Sequence, residues 1–455
     1  MGLSGYEVLL MTSVAPYLLG IGPLRRFLTT NQLVMSIMSL TGLLAFYFPR
    51  PTTRLFMTGG GVFFSCLALA AGLFAEKTNP ARLDARISGF SIGLIASNIA
   101  KFACYSNNPV WPIMNTVNGG WNKTGLALGV VAILWSSRKS PTPQGSTTQK
   151  RGNSSSLPIT LGLAGLFFAL HSLLSDSSTM ITWVWDGFPV TGPLAAPHGA
   201  FTILAMGVGF ILGSFRETLS RSWSMYALGC ISAAVFHNNH GWLGFYGALA
   251  LAIYITSIIP PFIRTAVQHS PGRTFGNAFM IYNLLVLAHV WTVAYAFVPG
   301  GFLLRESTHL VMIATMLLIG IGVFSTSSLS ISKGKPVGAV ILSPFQRRVK
   351  SYFIYLLVAL ELVTAGIAYM RFPTMDYEPY NKEHKVVSVG IWTVHFGIDN
   401  QLWSSERRMR DLIKEMEVDV IGKLMCLDTL SLSLTCSTKV SWSLIISTSL
   451  WGIVI

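Results

Sequence analysis

What this chain has little of is negative charge. Of 455 residues only 18 are Asp or Glu, against 32 Lys and Arg, and charged residues make up 11% of the chain while hydrophobic ones make up 51%. So few charges cannot keep a globule of this size hydrated, which excludes a set of soluble domains and leaves a polytopic membrane protein. Cysteine is scarcer still. The five (Cys66, Cys104, Cys230, Cys426, Cys436) show no CxxC and no regular spacing, so neither a disulfide framework nor a zinc site is indicated. HExxH, Walker and Rossmann patterns are missing as well, and the GxSxG spacing of Gly89 to Gly93 lies in an apolar run rather than after a strand, so any catalysis has to be built from helix ends. Met1 to Gly22 lacks a basic leader and a small-residue cleavage site and reads as a first span. Tyr6 stands where myristoylation requires Ser or Thr.

What is present is a series of apolar runs near the ~20 residues that cross a bilayer. They cover residues 5–22, 31–48, 55–75, 87–104, 121–136, 157–174, 197–214, 222–237, 241–262, 276–297, 307–327 and 351–371. The expected fold class is an all-α polytopic membrane protein, with about 12 transmembrane helices in two bundles and a short, incomplete α/β tail. The bundles occupy 1–136 and 157–372, and residues 137–156, rich in Ser, Thr, Gly and Pro, form a linker with too little apolar surface to fold. The odd-numbered connections hold 18 Lys and Arg and the even-numbered ones 4. Basic residues stay on the cytosolic side, so the odd connections are expected in the cytosol and both chain ends in the lumen. The formal charge of +14 is therefore read as membrane orientation, and nucleic acid is not an expected partner. Asn122-Lys123-Thr124 is a sequon on the expected lumenal side, and Asn153-Ser154-Ser155 lies in the cytosolic linker. Gly125 with Gly129, and Gly209 with Gly213, have the spacing that permits close helix approach.

The polar residues gather at one face. His237-Asn238-Asn239-His240-Gly241-Trp242 forms a polar turn between two apolar runs. His171, His198, His289 and His309 lie towards the same face, with Asp176, Asp186, Arg305, Glu306, Asn107, Asn108 and Trp111. Imidazoles beside carboxylates at head-group level suit acid and base work on an ester or amide. They also suit a divalent metal that polarises a carbonyl, although no ligand motif supports one. His237, His240, His198 and Asp186 are the candidate catalytic residues. Asn107, Asn108, Trp111, Lys101, Asn238, Asn239, His289, Arg305, Glu306, His309 and Glu361 are candidates for substrate binding. Lys101 and Glu361 stand out because an ionisable group within a span is costly and faces a partner or a cavity.

After the last span the character changes. Val386 to Phe396 alternates like a strand, Ser404 to Met416 is a charged amphipathic helix with Ser404 or Ser405 available as cap, and Val418 to Gly422 reads as a second strand. GIWTVHFGIDNQLWSSERRMRDLIKEMEVDVIG, with SNNPVWP (Ser106 to Pro112) and HNNHGW (His237 to Trp242), closely resembles the fungal calcofluor-white-hypersensitive family. The animal relatives of that family are interactors of the second post-GPI-attachment factor. The resemblance implies two six-helix membrane units followed by a lumenal domain of the exonuclease, endonuclease and phosphatase superfamily. It also implies a function in the endoplasmic reticulum, where the diacylglycerol-type lipid of GPI anchors is exchanged for ceramide. GPI-anchored proteins, ceramide and a separate membrane subunit related to the second factor are the partners it implies. Met425 stands where the superfamily places a metal-binding Glu, and Thr393 where it places an Asn. The segment 386–422 is thus expected to be a truncated, inactive start of that domain, and 423–455 a tail foreign to the family. The alternatives are a scaffold for GPI-protein maturation and a twelve-helix carrier, although common carriers keep both ends in the cytosol.

Overall fold

The structure, a computed structural model, describes residues 5–137, 155–186, 192–293, 301–331, 344–372, 379–381, 383–384, 386–393 and 397–424. The linker over 138–154 with its sequon at Asn153, and the chain beyond Leu424 with Met425, lie outside the described residues.

Within the described residues each of the twelve expected runs falls on helix, and local chemistry sets where the helices begin. Proline opens Pro51–Ala75 and Pro80–Ala103 and is the second residue of Leu157–Leu174. Its missing N–H is harmless there, because first-turn donors have no helical acceptor. Asn79 Oδ1 accepts the Arg82 N–H at 3.2 Å, and Ser222 Oγ accepts the Met225 N–H at 3.3 Å to cap Trp223–Asn238. Among the described residues six helices are long and apolar enough to cross a membrane: Pro51–Ala75, Leu157–Leu174, Ala195–Phe215, Gly241–Ala266, Pro271–Val293 and Lys350–Met370. Gln32–Tyr47, Asn122–Trp135 and Thr308–Phe324 are shorter apolar helices. The first expected span, 5–22, is helical as Gly5–Val14 and Ala15–Gly20, and beyond it Val8–Gly20 is followed by Gly22–Thr30 at a bend of 100°. Ile21 is extended at the break, and Pro23 brings no N–H to carry a helical ladder through it.

The helices before and after the linker interleave. Tyr17 Oη donates to Asn277 Oδ1 and Asn283 Nδ2 donates to Ser13 Oγ, both at 2.6 Å, so the first helix is pinned to Pro271–Val293. Pro344–Met370 packs against both Pro80–Ala103 and Ala195–Phe215. One contiguous buried cluster, from Ala15 to Leu357, takes side chains from both halves. Lipid tails are as apolar as leucine, so close packing rather than water exclusion has to hold such helices together. Gly162 and Gly322 show how: a Cβ on Gly162 would stand 2.6 Å from the Gly322 Cα.

Polar contacts sort the connections into two faces. On one, Arg264 reaches Asp84 Oδ1 from Nε and Nη2, both at 2.9 Å, and Glu217 Oε2 from Nη1 at 2.7 Å. Lys350 Nζ donates to Ser214 O at 2.9 Å, and Arg86 donates to Gln32. These belong to odd-numbered connections or to the helix ends beside them. On the other face, Lys101 meets Ser175, Ser106 meets Ser178, Asp186 meets His240 and His237 meets His309. These belong to even-numbered connections or to the helix ends beside them.

The tail is a β-α-β unit. Val389–Thr393 and Val420–Leu424 pair in parallel, Val389 opposite Val420, with Glu406–Glu415 between them. Neither serine caps that helix through its side chain. Ser405 Oγ turns to Met409 Sδ at 3.2 Å, and Ser404 is held as a bridge partner of Ile398. The first strand is shorter than expected, and residues 394–396 of its expected end lie outside the described residues.

The sequon at Asn122 is spent on structure. Asn122 is 2% exposed, and its Nδ2 donates to Trp111 O at 2.9 Å and Met114 O at 2.5 Å. That nitrogen is the one a glycan would need, so Asn122 is expected to stay unmodified. Endoglycosidase treatment should leave the 122–124 peptide mass unchanged, and a glycan-sized decrease would refute this.

Candidate functional site

The turn from Phe236 to Trp242 ends the helix Trp223–Asn238 and opens Gly241–Ser257. Gly241 takes φ +58°, a left-handed value that glycine adopts without strain, and a Cβ there would stand 3.3 Å from Asp186 Oδ2. The glycine therefore turns the chain and also lets the carboxylate approach. His240 faces that carboxylate, Nδ1 to Oδ1 at 3.8 Å, with 45% and 34% of the two side chains exposed. The spacing is that of an ion pair rather than a direct hydrogen bond. Nδ1 is the ring nitrogen turned towards the acid.

Two residues along, Trp242 stands edge-on to His198 with ring centroids 4.7 Å apart. His198 Nδ1 accepts the Leu194 N–H at 2.8 Å. A neutral imidazole with its Nδ1 lone pair engaged carries its proton on Nε2. His198 Nε2 is thereby a hydrogen-bond donor. His237 and His309 pair at 6.2 Å between centroids. Arg305 Nε lies 3.7 Å from Glu306 Oε1, and the Glu306 N–H donates to Thr292 O at 2.8 Å.

The other candidates have visible structural work. Asn238 and Asn239 each donate Nδ2 to a carbonyl of their own helix, Ala234 and Val235, at 2.9 Å. Lys101, 3% exposed, donates Nζ to Ser175 O at 2.7 Å and so joins the fourth and sixth spans. His289 is buried between the rings of Phe168 and Trp183, each 5.8 Å away, and His171 is buried edge-on to Tyr282. Asn107 Nδ2 donates to Glu406 Oε2 at 2.7 Å, and Asn108 Oδ1 accepts the Val110 N–H at 3.1 Å. Trp111 O accepts from Asn122. Glu361 packs on Gly207, whose Cβ would be 2.6 Å from Oε1. It lies nine residues before the helix end at Met370, about 13 Å at the helical rise, apart from the histidines. The structure thus brings Asp186, His240, Trp242 and His198 together, pairs His237 with His309, and keeps Lys101, His289 and Glu361 elsewhere. Among the described residues no three His, Cys, Asp or Glu side chains converge as a metal site requires. Sequence reasoning missed Gly241 as a site residue, although a glycine directly after His240 was its signal. It also missed Arg54 and Trp403, whose contact spans almost the whole chain.

Comparison with known proteins agrees with this architecture. Family models described as the first transmembrane domain, the second transmembrane domain and the C-terminal nuclease-like domain of PGAP2IP match residues 1–135, 152–332 and 384–436. Protein cwh43 of Schizosaccharomyces pombe is 34% identical over 433 residues, covering 93% of this chain and 45% of that protein. The chain thus spans less than half the length of this curated relative. With both membrane domains, the nuclease-like domain and a 34% identical relative in register, the chain belongs to the Cwh43 and PGAP2IP family of multi-pass membrane proteins.

Proposed function

We propose that this chain acts in GPI-anchor maturation in the endoplasmic reticulum membrane, exchanging the diacylglycerol-type lipid of the anchor for ceramide, as enzyme or essential subunit. The observation that carries the proposal is the Asp186–His240 pair, half exposed beside Trp242 on the face shared by the even-numbered connections. With 4 basic residues against 18, that face is lumenal. In the exchange, the primary hydroxyl of ceramide attacks the anchor phosphorus. A new P–O bond to ceramide forms as the P–O bond to diacylglycerol breaks. His240 Nε2 takes the hydroxyl proton and returns it to the departing diacylglycerol oxygen, while Asp186 faces the imidazolium. His198 Nε2–H stands ready to donate to a phosphoryl oxygen, which balances charge where it develops.

The test is anchor-lipid mass spectrometry in a fungal strain that lacks its own remodeller. The chain is expressed alone and together with a membrane subunit related to the second post-GPI-attachment factor. Ceramide-bearing anchors are expected in at least one of the two. Anchors without ceramide in both, with the chain present in the endoplasmic reticulum, would reject lipid exchange and favour a scaffold.

A further inference from the structure

Arg54 lies in the first turn of Pro51–Ala75 and is 3% exposed. A guanidinium so buried needs acceptors and a counter-charge, since an unanswered buried cation is strongly destabilising. Nη1 donates to the local carbonyls of Phe48 and Pro49 at 3.4 and 3.2 Å. The shorter bonds come from far along the chain: Nη2 donates to Gln401 O at 2.6 Å and Leu402 O at 3.0 Å. Trp403 covers the guanidinium face at 3.7 Å, and the acid that acts on this charge, Asp399, belongs to the same loop.

The loop is built for that contact. Asp399 Oδ1 accepts the N–H groups of Gln401 and Trp403, each at 2.9 Å, and Oδ2 accepts Arg408 Nη2 at 2.6 Å. The carboxylate thereby folds the turn that presents the two carbonyls and the indole. Burial alone would raise the Asp399 pKa, but the bonds from Trp403, Arg408 and Gln401 outweigh it and hold the carboxyl below the usual carboxylate range. Leu402 sits at φ +59°, a conformation a non-glycine residue keeps only when its surroundings enforce it. On the flanks, the Ser404 N–H donates to Ile113 O at 3.1 Å and Asn118 Nδ2 donates to Ser404 O at 3.2 Å. Asn107 reaches Glu406 as described.

We propose that the loop 397–406 is a docking plug for the first membrane domain: it completes the surroundings of Arg54, so the membrane fold depends on the nuclease-like segment whatever chemistry that segment has. The segment is then a structural partner carried in the same chain, and the dependence is independent of lipid exchange.

The experiment is thermal melting of the detergent-solubilised full chain. Asp399→Ala and Trp403→Ala are each expected to lower the midpoint by roughly 5 °C. Arg54→Met removes the charge that the loop answers, so in that background the two loop variants are expected to produce little further shift, the signature of coupled residues. Loop variants that melt like the wild type, or whose shifts add fully to that of Arg54→Met, would overturn the proposal. A second measurement serves if Arg54→Met does not fold. A short bis-maleimide linking Asn107→Cys to Glu406→Cys in native membranes should react efficiently with Arg54 and Trp403 in place, and several-fold less with Trp403→Ala. Equal linking in both would refute the plug.

Discussion

A chain carrying His240→Ala is expected to lose a hundredfold or more of the proposed anchor-lipid exchange, since positioned acid and base groups contribute on the order of 10²–10⁴. Asp186→Asn keeps the shape and removes the charge. Because the pair is partly exposed and 3.8 Å apart, its loss is expected to be smaller, about tenfold. His198→Ala should sit near the aspartate variant, as its pinned Nδ1 makes it a donor rather than a base. The order matters more than the sizes. The ceramide fraction per molecule of chain, measured by mass spectrometry and immunoblot, should fall in the order wild type, Asp186→Asn, His240→Ala. A His240→Ala chain as active as the wild type would remove this residue from the chemistry.

The largest structural effect is expected where backbones touch. Gly162→Val puts a branched side chain where even a Cβ would lie 2.6 Å from the Gly322 Cα, and the reverse substitution meets the Gly162 Cα at 2.7 Å. Backbone cannot rotate away as a side-chain tip can, so the helices Leu157–Leu174 and Thr308–Ile331 must separate along their contact. Overpacking typically costs about 1–3 kcal/mol, and a backbone collision belongs at or above the top of that range. Little monodisperse protein should survive extraction of either variant. Gly366→Ala is the control: nothing lies within 4 Å of a Cβ there, and the helical interior should gain about 0.5–1 kcal/mol. Equal recovery of Gly162→Val and Gly366→Ala would show that the crossing has slack.

Where the sequence was legible, the signal was local. A run of apolar residues of bilayer length needs no partner to be recognised, so each expected run falls on helix, although Pro80–Ala103 and Pro344–Met370 begin seven residues before the expected 87 and 351. The bend at Ile21 falls where the first apolar run was expected to end, ahead of Pro23, Arg25 and Arg26. The two faces were readable because charge counts survive any packing. What remained hidden was which groups meet. Asn238 and Asn239 bind their own helix carbonyls, Lys101 binds Ser175, and Asn122 is consumed by Trp111 and Met114. Residue type alone gives these side chains the same promise as a free binding group. Asp186 and His240 were expected on one face, but their pairing rests on Gly241, whose missing Cβ makes room for the acid.

The interleaving of early and late helices has a consequence during synthesis. Tyr17 bonds a residue 260 positions later, and Ser13 one 270 positions later. At roughly 5–20 residues per second, the first helix waits on the order of tens of seconds for its partner to leave the ribosome. Throughout that interval the Tyr17 hydroxyl lacks Asn277, and Ser13 Oγ, which donates to Leu9 O at 2.7 Å, lacks the Asn283 amide. Translation speed between residues 30 and 290 therefore sets how long the first helix stays without the partner that pins it.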